Sequence, residues 1–263
     1  MSYSLRAAIL LLTLLVSTEA LAQDPPAPYL RIDFMKSTGS DYEDVESTIW
    51  KPHHQDRVDG GDKIAWNLFW VNYGDRTDHD YVTVNVYPDL ASTYGEWDSL
   101  AADFARVHPG VDMEEAIDRT DGSRDMVRSE QWRGVLFEGV HGPYRYAVTN
   151  YMLVPAGGGE EYVALERDWW APIHRAAIEN GCEGAWGVYE LQQPFGSKLP
   201  YNYAAVNFAN EWKPECDFMK TAAEVHPETD WSAIEEKTQA ARELVLGVEW
   251  MLLDHTADAS ASN

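Results

Sequence analysis

Arg31 and Asp33 alternate with Leu30, Ile32 and Phe34 in the run from Tyr29 to Lys36, which is the period of a half-buried strand. The run from Tyr81 to Tyr87 alternates in the same way, setting Tyr81, Thr83, Asn85 and Tyr87 against Val82, Val84 and Val86. With the aliphatic faces of both strands packed on helices, the opposite faces would carry Arg, Asp, Asn, Thr and Tyr into an interior. Asn150, Tyr203 and Asn207 follow the same pattern later in the chain, and Asn67 joins them if its strand presents that face. Buried polar groups cost free energy unless they are paired, so such a lining implies water, a ligand or an internal polar network. In a catalyst, Arg31 would hold a carboxylate or enolate oxygen and Asp33 would move a proton. Asn85 and Asn207 would donate to a developing oxyanion. Tyr81, Thr83, Tyr87, Asn67, Asn150 and Tyr203 would contact the substrate.

A second pattern is W-x-P-x-H, found at Trp50–His54 and again at Trp170–His174. Histidine is the commonest metal ligand, so His54 or His174 could hold haem iron. Presence in both places argues for a structural role, since one haem needs one proximal ligand. His53 has no counterpart, because Ile173 stands in its place. Glu46 and Glu166 form another equivalent pair, each four residues before the Trp of the motif. Such a Glu is a general base if buried and a solvated helix carboxylate if not. There is no H-E-x-x-H, no G-x-S-x-G and no C-x-x-C. The expectation is therefore no metal site and no cofactor, with haem as the alternative.

The elements that must position these residues also occur twice. Trp170 follows Trp50 by 120 residues, and the same offset pairs Gly39 with Gly159, Glu46 with Glu166, Gly61 with Gly181 and Trp66 with Trp186. Shifts of a residue or two pair Asn85 with Asn207 and Arg124 with Arg242. Each half reads as a strand, a helix over Asp41–Asp59, two strands, helices over Glu96–Arg106 and Met113–Ser129, and a last strand over Trp132–Gly139. That order, βαββαβ, is the ferredoxin-like split unit. Its sheet leaves one face bare, and two such units cover each other. The fold expected is α+β, with repeats at 29–140 and 145–256 packed sheet to sheet as a pseudo-twofold α/β barrel. In this layout the chain resembles the dimeric α/β-barrel superfamily, and most of all its tandem members of the NIPSNAP type. Antibiotic-biosynthesis monooxygenases share the single repeat. The resemblance implies cofactor-free oxygenation, isomerisation or decarboxylation of an aromatic or polyketide-like compound, and it carries no catalytic motif residue by residue.

Composition sets the remaining bounds. Arg6, a short apolar run and Ala20-Leu-Ala22 describe a cleavable secretory signal over residues 1–22, hence a periplasmic or extracellular protein. The net charge of −24 disfavours nucleic acid and anionic membrane as partners. The partner expected is a small molecule, and a homodimer is open. Cys182 and Cys216 are the only cysteines; an oxidising compartment permits them to pair, and sequence leaves that open. Residues 257–263 read as a tail. Whether the protein is an enzyme, a non-catalytic binder or an interaction module is not decided at this level.

Overall fold

The computed structural model describes residues 27–74 and 76–258. The expected signal peptide, and residues 259–263 of the expected tail, lie outside the described residues. The first half supplies strands β1 (Tyr29–Ser37), β2 (Ala65–Tyr73), β3 (Tyr81–Tyr87) and β4 (Arg124–Gly139); the second supplies β5 (Tyr146–Leu153), β6 (Ala185–Gln193), β7 (Tyr203–Ala209) and β8 (Glu243–His255). They form one closed antiparallel barrel in the order β1-β3-β2-β8-β5-β7-β6-β4. Closure depends on the two longest strands. β4 pairs with β1 through Arg124–Arg133 and with β6 through Gln131–Gly139. β8 pairs in the same way with β5 and then with β2. Each long strand belongs to both sheets, so neither half keeps a free sheet edge at the seam.

Helices cover the outside. In the first half α1 (Tyr42–Val45), a π-helical turn (Glu46–Trp50) and α2 (Lys51–Asp59) run on without a break, followed by α3 (Leu90–Val107) and α4 (Met113–Ser123). The second half repeats this as α5 (Gly159–Leu165), a π-helical turn (Glu166–Trp170), α6 (Ala171–Glu179), α7 (Phe218–Val225) and α8 (Trp231–Ala241). Pro52 and Pro172 stand where the π-helical turn passes into α2 and α6, and a proline without an N–H goes with that local change in the hydrogen-bond ladder. Gly61 (φ 83°) and Gly181 (φ 69°) end those helices in the left-handed region, and their N–H groups return to the carbonyls of Val58 and Ile178. These roles account for the repeated Pro and Gly. Asp89 caps α3 by accepting from the Ser92 N–H, so that helix starts earlier than Glu96. The helix expected to reach Ser129 stops at Ser123, and Arg124–Ser129 are already strand β4. No helix among the described residues is long and apolar enough to cross a membrane.

The strand faces are the reverse of the sequence expectation. Leu30, Ile32 and Phe34 join Val82, Val84, Trp132 and Trp250 in one buried cluster inside the barrel. Arg31, Asp33, Thr83 and Asn85 instead line a pocket with residues of the covering helices. Alternation fixes the period of a strand but not the sign of its faces. Two sheets closing on each other make the larger dry core, and the aliphatic faces go there.

Cys182 and Cys216 form a disulfide across 34 residues of sequence, tying the end of α6 to the segment before α7. Under denaturing conditions the intact protein is expected to show no reactive thiol, and two per chain after reduction. Free thiols in the unreduced sample would disprove the bond.

Candidate functional site

On the outer face of β1 and β3, the first half holds a buried set of charges. Lys63 follows α2, and its Nζ donates to Asn85 Oδ1 (2.8 Å) and Glu96 Oε1 (2.9 Å) and meets His54 Nδ1 at 2.8 Å. Glu96, from α3, also accepts from the Tyr87 hydroxyl and pairs with Arg31 Nη1 at 3.0 Å. Arg31 Nε reaches Asp33 Oδ2 at 3.1 Å, and Ser129 Oγ donates to Asp33 Oδ1 at 2.6 Å. Next to this set lies a cavity of about 240 Å3 that also meets Glu46, His53, Arg124 and Trp97. Trp97 is two-thirds exposed and stands over the Arg31 guanidinium, 5.4 Å from its carbon to the ring centre. The Nε of Arg124 and both ring nitrogens of His53 are buried, and no hydrogen-bond partner meets them.

Burial and charge set the protonation states. Burial works against ionisation of Glu96, but Lys63, His54 and Arg31 outweigh it and hold its carboxyl well below the usual range. Burial lowers His54 to about 3, with Lys63 adding to the shift, and lowers His53 to about 4; both rings are neutral at pH 7. Burial pushes Glu46 up to about 7, against the pull of the Tyr42 hydroxyl and Arg124. A carboxyl that titrates near neutrality beside a cavity is suited to take and return protons.

The sequence-predicted residues do not form one site. Arg31, Asp33, Thr83 and Asn85 come together at this pocket, and Tyr87 supports it from below through Glu96. Tyr81 packs between Tyr42 and Trp70, donates to Glu43 Oε1 and does not line this pocket. Asn207 and Asn150 lie on the helix-covered face of the second half, and Asn150 Nδ2 meets Asn207 Oδ1 at 3.4 Å. Asn207 therefore cannot share an oxyanion with Asn85, and Tyr203 is spent on Glu190 (3.1 Å). Asn85 accepts from Lys63 at its Oδ1 and donates from its Nδ2 to Asp33 (3.4 Å), so both ends of its amide are engaged within the set. Asn67 alone faces the barrel interior.

Lys63, Glu96, Arg124, Ser129 and Trp97 were missed. The usable signal lay in the differences between the repeats. At the offset of 120, Lys63 faces Glu183 and His53 faces Ile173. Strand register sets Val148 against Arg31 and Asn150 against Asp33, while α7 starts too late to carry a counterpart of Glu96. What both halves keep is packing: His54 stacks on Trp66 and His174 on Trp186 (ring centres 5.3 and 4.6 Å apart). Glu46 and Glu166 both lie buried beside Tyr42 and Tyr162.

His53, His54 and Glu96 place ligand atoms within 4.8 Å of one another. The Lys63 ammonium already lies against two of those donors, so the set does not fit a resident metal ion while Lys63 is charged.

No protein-family model matches the chain, and no curated protein sequence does. Solved structures do. A candidate monooxygenase from Lactobacillus acidophilus NCFM aligns over 88% of this chain and 97% of its own, with a TM-score of 0.55 and 9% identity. A second candidate monooxygenase, from Fusobacterium nucleatum subsp. nucleatum, gives 88% and 94%, a TM-score of 0.53 and 9% identity. An anthrone oxidase-like protein gives 89% and 93%, 0.50 and 10%. The likeness is one of fold. It agrees with the barrel of two ferredoxin-like repeats described above.

Proposed function

We propose that this chain is a secreted α/β-barrel protein whose first half binds a small anionic aromatic molecule in the helix-covered pocket. The observation that carries the reading is the charged set around Arg31, present in one half only, beside a cavity. Arg31, Asp33, Lys63 and Glu96 have no matching residue in the second half, so the duplicated fold does not call for them. With Glu46 protonated, Arg31, Lys63 and Arg124 stand against Asp33 and Glu96, an excess of one positive charge in a chain of net charge −24. That local field favours an anion. Arg31 and Arg124 would hold a carboxylate or enolate oxygen, and Trp97 at the mouth would stack on a ring. Glu46 would take a proton only in its ionised form, which cancels that excess, so the anion is favoured below about pH 7 and proton removal above it. Proton removal beside a stabilised oxyanion is the step that cofactor-independent oxygenation and isomerisation share, so the same arrangement serves an enzyme or, without turnover, a binder. Two of the fold neighbours are named as monooxygenases, which is compatible with the first. The disulfide fits an oxidising compartment and so supports secretion.

Calorimetry with 2-naphthoate tests the anion. Binding is expected in the native protein and at least roughly tenfold weaker in Arg31→Ala, the loss of one charge-assisted bond. No heat at millimolar naphthoate would sink the reading. The alternative of haem held by His54 or His174 rests on the neutral imidazole of His54 at the cavity wall. A Soret band in protein secreted by its own signal would establish it in place of the anion.

A further inference from the structure

A lysine ammonium has three donors and no acceptor, and in Lys63 all three are engaged. Its Nζ lies 2.8 Å from His54 Nδ1, 2.8 Å from Asn85 Oδ1 and 2.9 Å from Glu96 Oε1. Because the ammonium can only donate, the lone pair of His54 Nδ1 points at it. Lone pairs from α2, β3 and α3 thus converge on one positive charge, and the Lys63 side chain is wholly shielded from water. Convergent nitrogen and oxygen lone pairs are also what a metal ion requires. The spacing agrees. A tetrahedral ion with ligands at ~2.1 Å holds them roughly 3.4 Å apart, and His54 Nδ1 stands 3.4 Å from Glu96 Oε1.

The surroundings match as well. Glu96 turns its other oxygen, Oε2, to Arg31 Nη1 (3.0 Å) and to the Tyr87 hydroxyl, the kind of outer hydrogen bond that fixes a ligating carboxylate. His53 is 1% exposed, and neither of its ring nitrogens meets a hydrogen-bond partner. Buried polar atoms are nearly always paired, yet a nitrogen of this ring lies within 4.8 Å of the donor atoms of both His54 and Glu96. At the matching places of the second half stand Glu183 for Lys63 and Ile173 for His53, and α7 starts too late to carry a counterpart of Glu96. The ammonium, the spare imidazole and the carboxylate occur together in one half and are absent together from the other.

We infer that the Lys63 ammonium fills a latent site for a divalent metal of the zinc class, made by His53, His54 and Glu96. Two imidazoles and a carboxylate are a zinc-type donor set that leaves a fourth position. Here that position falls to Asn85 Oδ1 or to the pocket that all three residues line. The lysine is the protein's own substitute for the ion: it keeps the ligands ordered and excludes metal by occupying its place. The pocket is the one proposed to bind an anion, but nothing in this inference needs that anion.

Titration of the metal-free full chain with Co2+, read by visible absorption, tests it. Lys63→Ala is expected to bind one Co2+ with the intense bands of a tetrahedral ion; six-coordinate ions on surface carboxylates absorb only weakly. The native chain and Lys63→Met, whose side chain fills the same space, should show no such bands. Adding His53→Ala to Lys63→Ala should weaken binding at least roughly tenfold, since even the outer partners of a ligand are worth that much. Zn2+ at a hundredfold excess over its Kd should raise the melting midpoint of Lys63→Ala about 5 °C more than that of Lys63→Met. Folding of Lys63→Ala only with metal present would support the site, the ion having replaced the ammonium. If it folds in neither state, Lys63→Ser, which leaves a hydroxyl for Glu96, goes through the same titration. A folded variant without tetrahedral bands overturns the inference, as does failure of both variants to fold with metal present. So do tetrahedral bands in the native chain, or bands that His53→Ala leaves unchanged.

Discussion

Glu96→Ala is expected to destabilise the protein by about 3–5 kcal/mol, the cost of breaking a buried ion pair from one side. Glu96 is 3% exposed and takes Lys63, Arg31 and the Tyr87 hydroxyl at once. Without it, the fully buried Lys63 ammonium keeps only the neutral acceptors Asn85 and His54. Urea unfolding at pH 7 measures the loss. Because the carboxyl sits well below its ordinary value of 4.5 in the folded state, its contribution is complete above that unfolded value. It fades as pH falls through the folded value. The variant and the native protein should therefore converge in acid. Lys63→Met combined with Glu96→Leu should recover much of the loss, since an apolar pair leaves no charge stranded. A single-variant loss under about 1 kcal/mol would mean that water reaches the cluster, and the buried-pair account would be wrong.

Glu46→Gln is expected to work in the opposite direction. Burial raises the Glu46 carboxyl from 4.5 to about 7. Below pH 4.5 both folded and unfolded states hold the proton. Between 4.5 and 7 the unfolded chain releases it while the folded chain keeps it, so stability falls as pH rises. Above 7 the whole difference has been lost, about 3 kcal/mol. The amide variant removes this slope and should be the more stable protein at pH 8 by up to that amount. Urea midpoints across pH 4 to 8 check it, and parallel curves for the two proteins would refute it. Glu166 is raised too, for the same reason, so a smaller slope should persist in Glu46→Gln. If the protein turns over a substrate, only the Glu46 variant should flatten the limb of the pH profile near 7, since the charged set belongs to the first half.

Much of the fold was legible because duplication writes it twice. The strand from Tyr81 to Tyr87 has the expected ends, and the Pro, Gly and Trp of the repeated motif have the packing and capping roles that repetition implied. The miss at Arg124–Ser129 has a clear cause: Met126 and Val127 are exposed where β4 enters the barrel, so the segment shows no buried alternation to read. For the candidate site, the sequence named Arg31, Asp33, Thr83 and Asn85, which do share a pocket, but placed them on the wrong side of the sheet. Arg31 and Asp33 are functional candidates, but their partners Lys63 and Glu96 lie 32 and 65 residues beyond Arg31, on elements whose approach no local pattern records.

The sequence by itself determined the periods, the duplication and hence the order of elements, since these depend on neighbours three, four or two residues away. Only the tertiary structure decided which face of each strand is inside, because that depends on whether helix or opposing sheet offers the drier contact. The same closure separated Asn85 from Asn207 and gathered the charges of one half around a pocket. Those are properties of contacts between distant segments, fixed by packing and solvent exclusion rather than by local spacing.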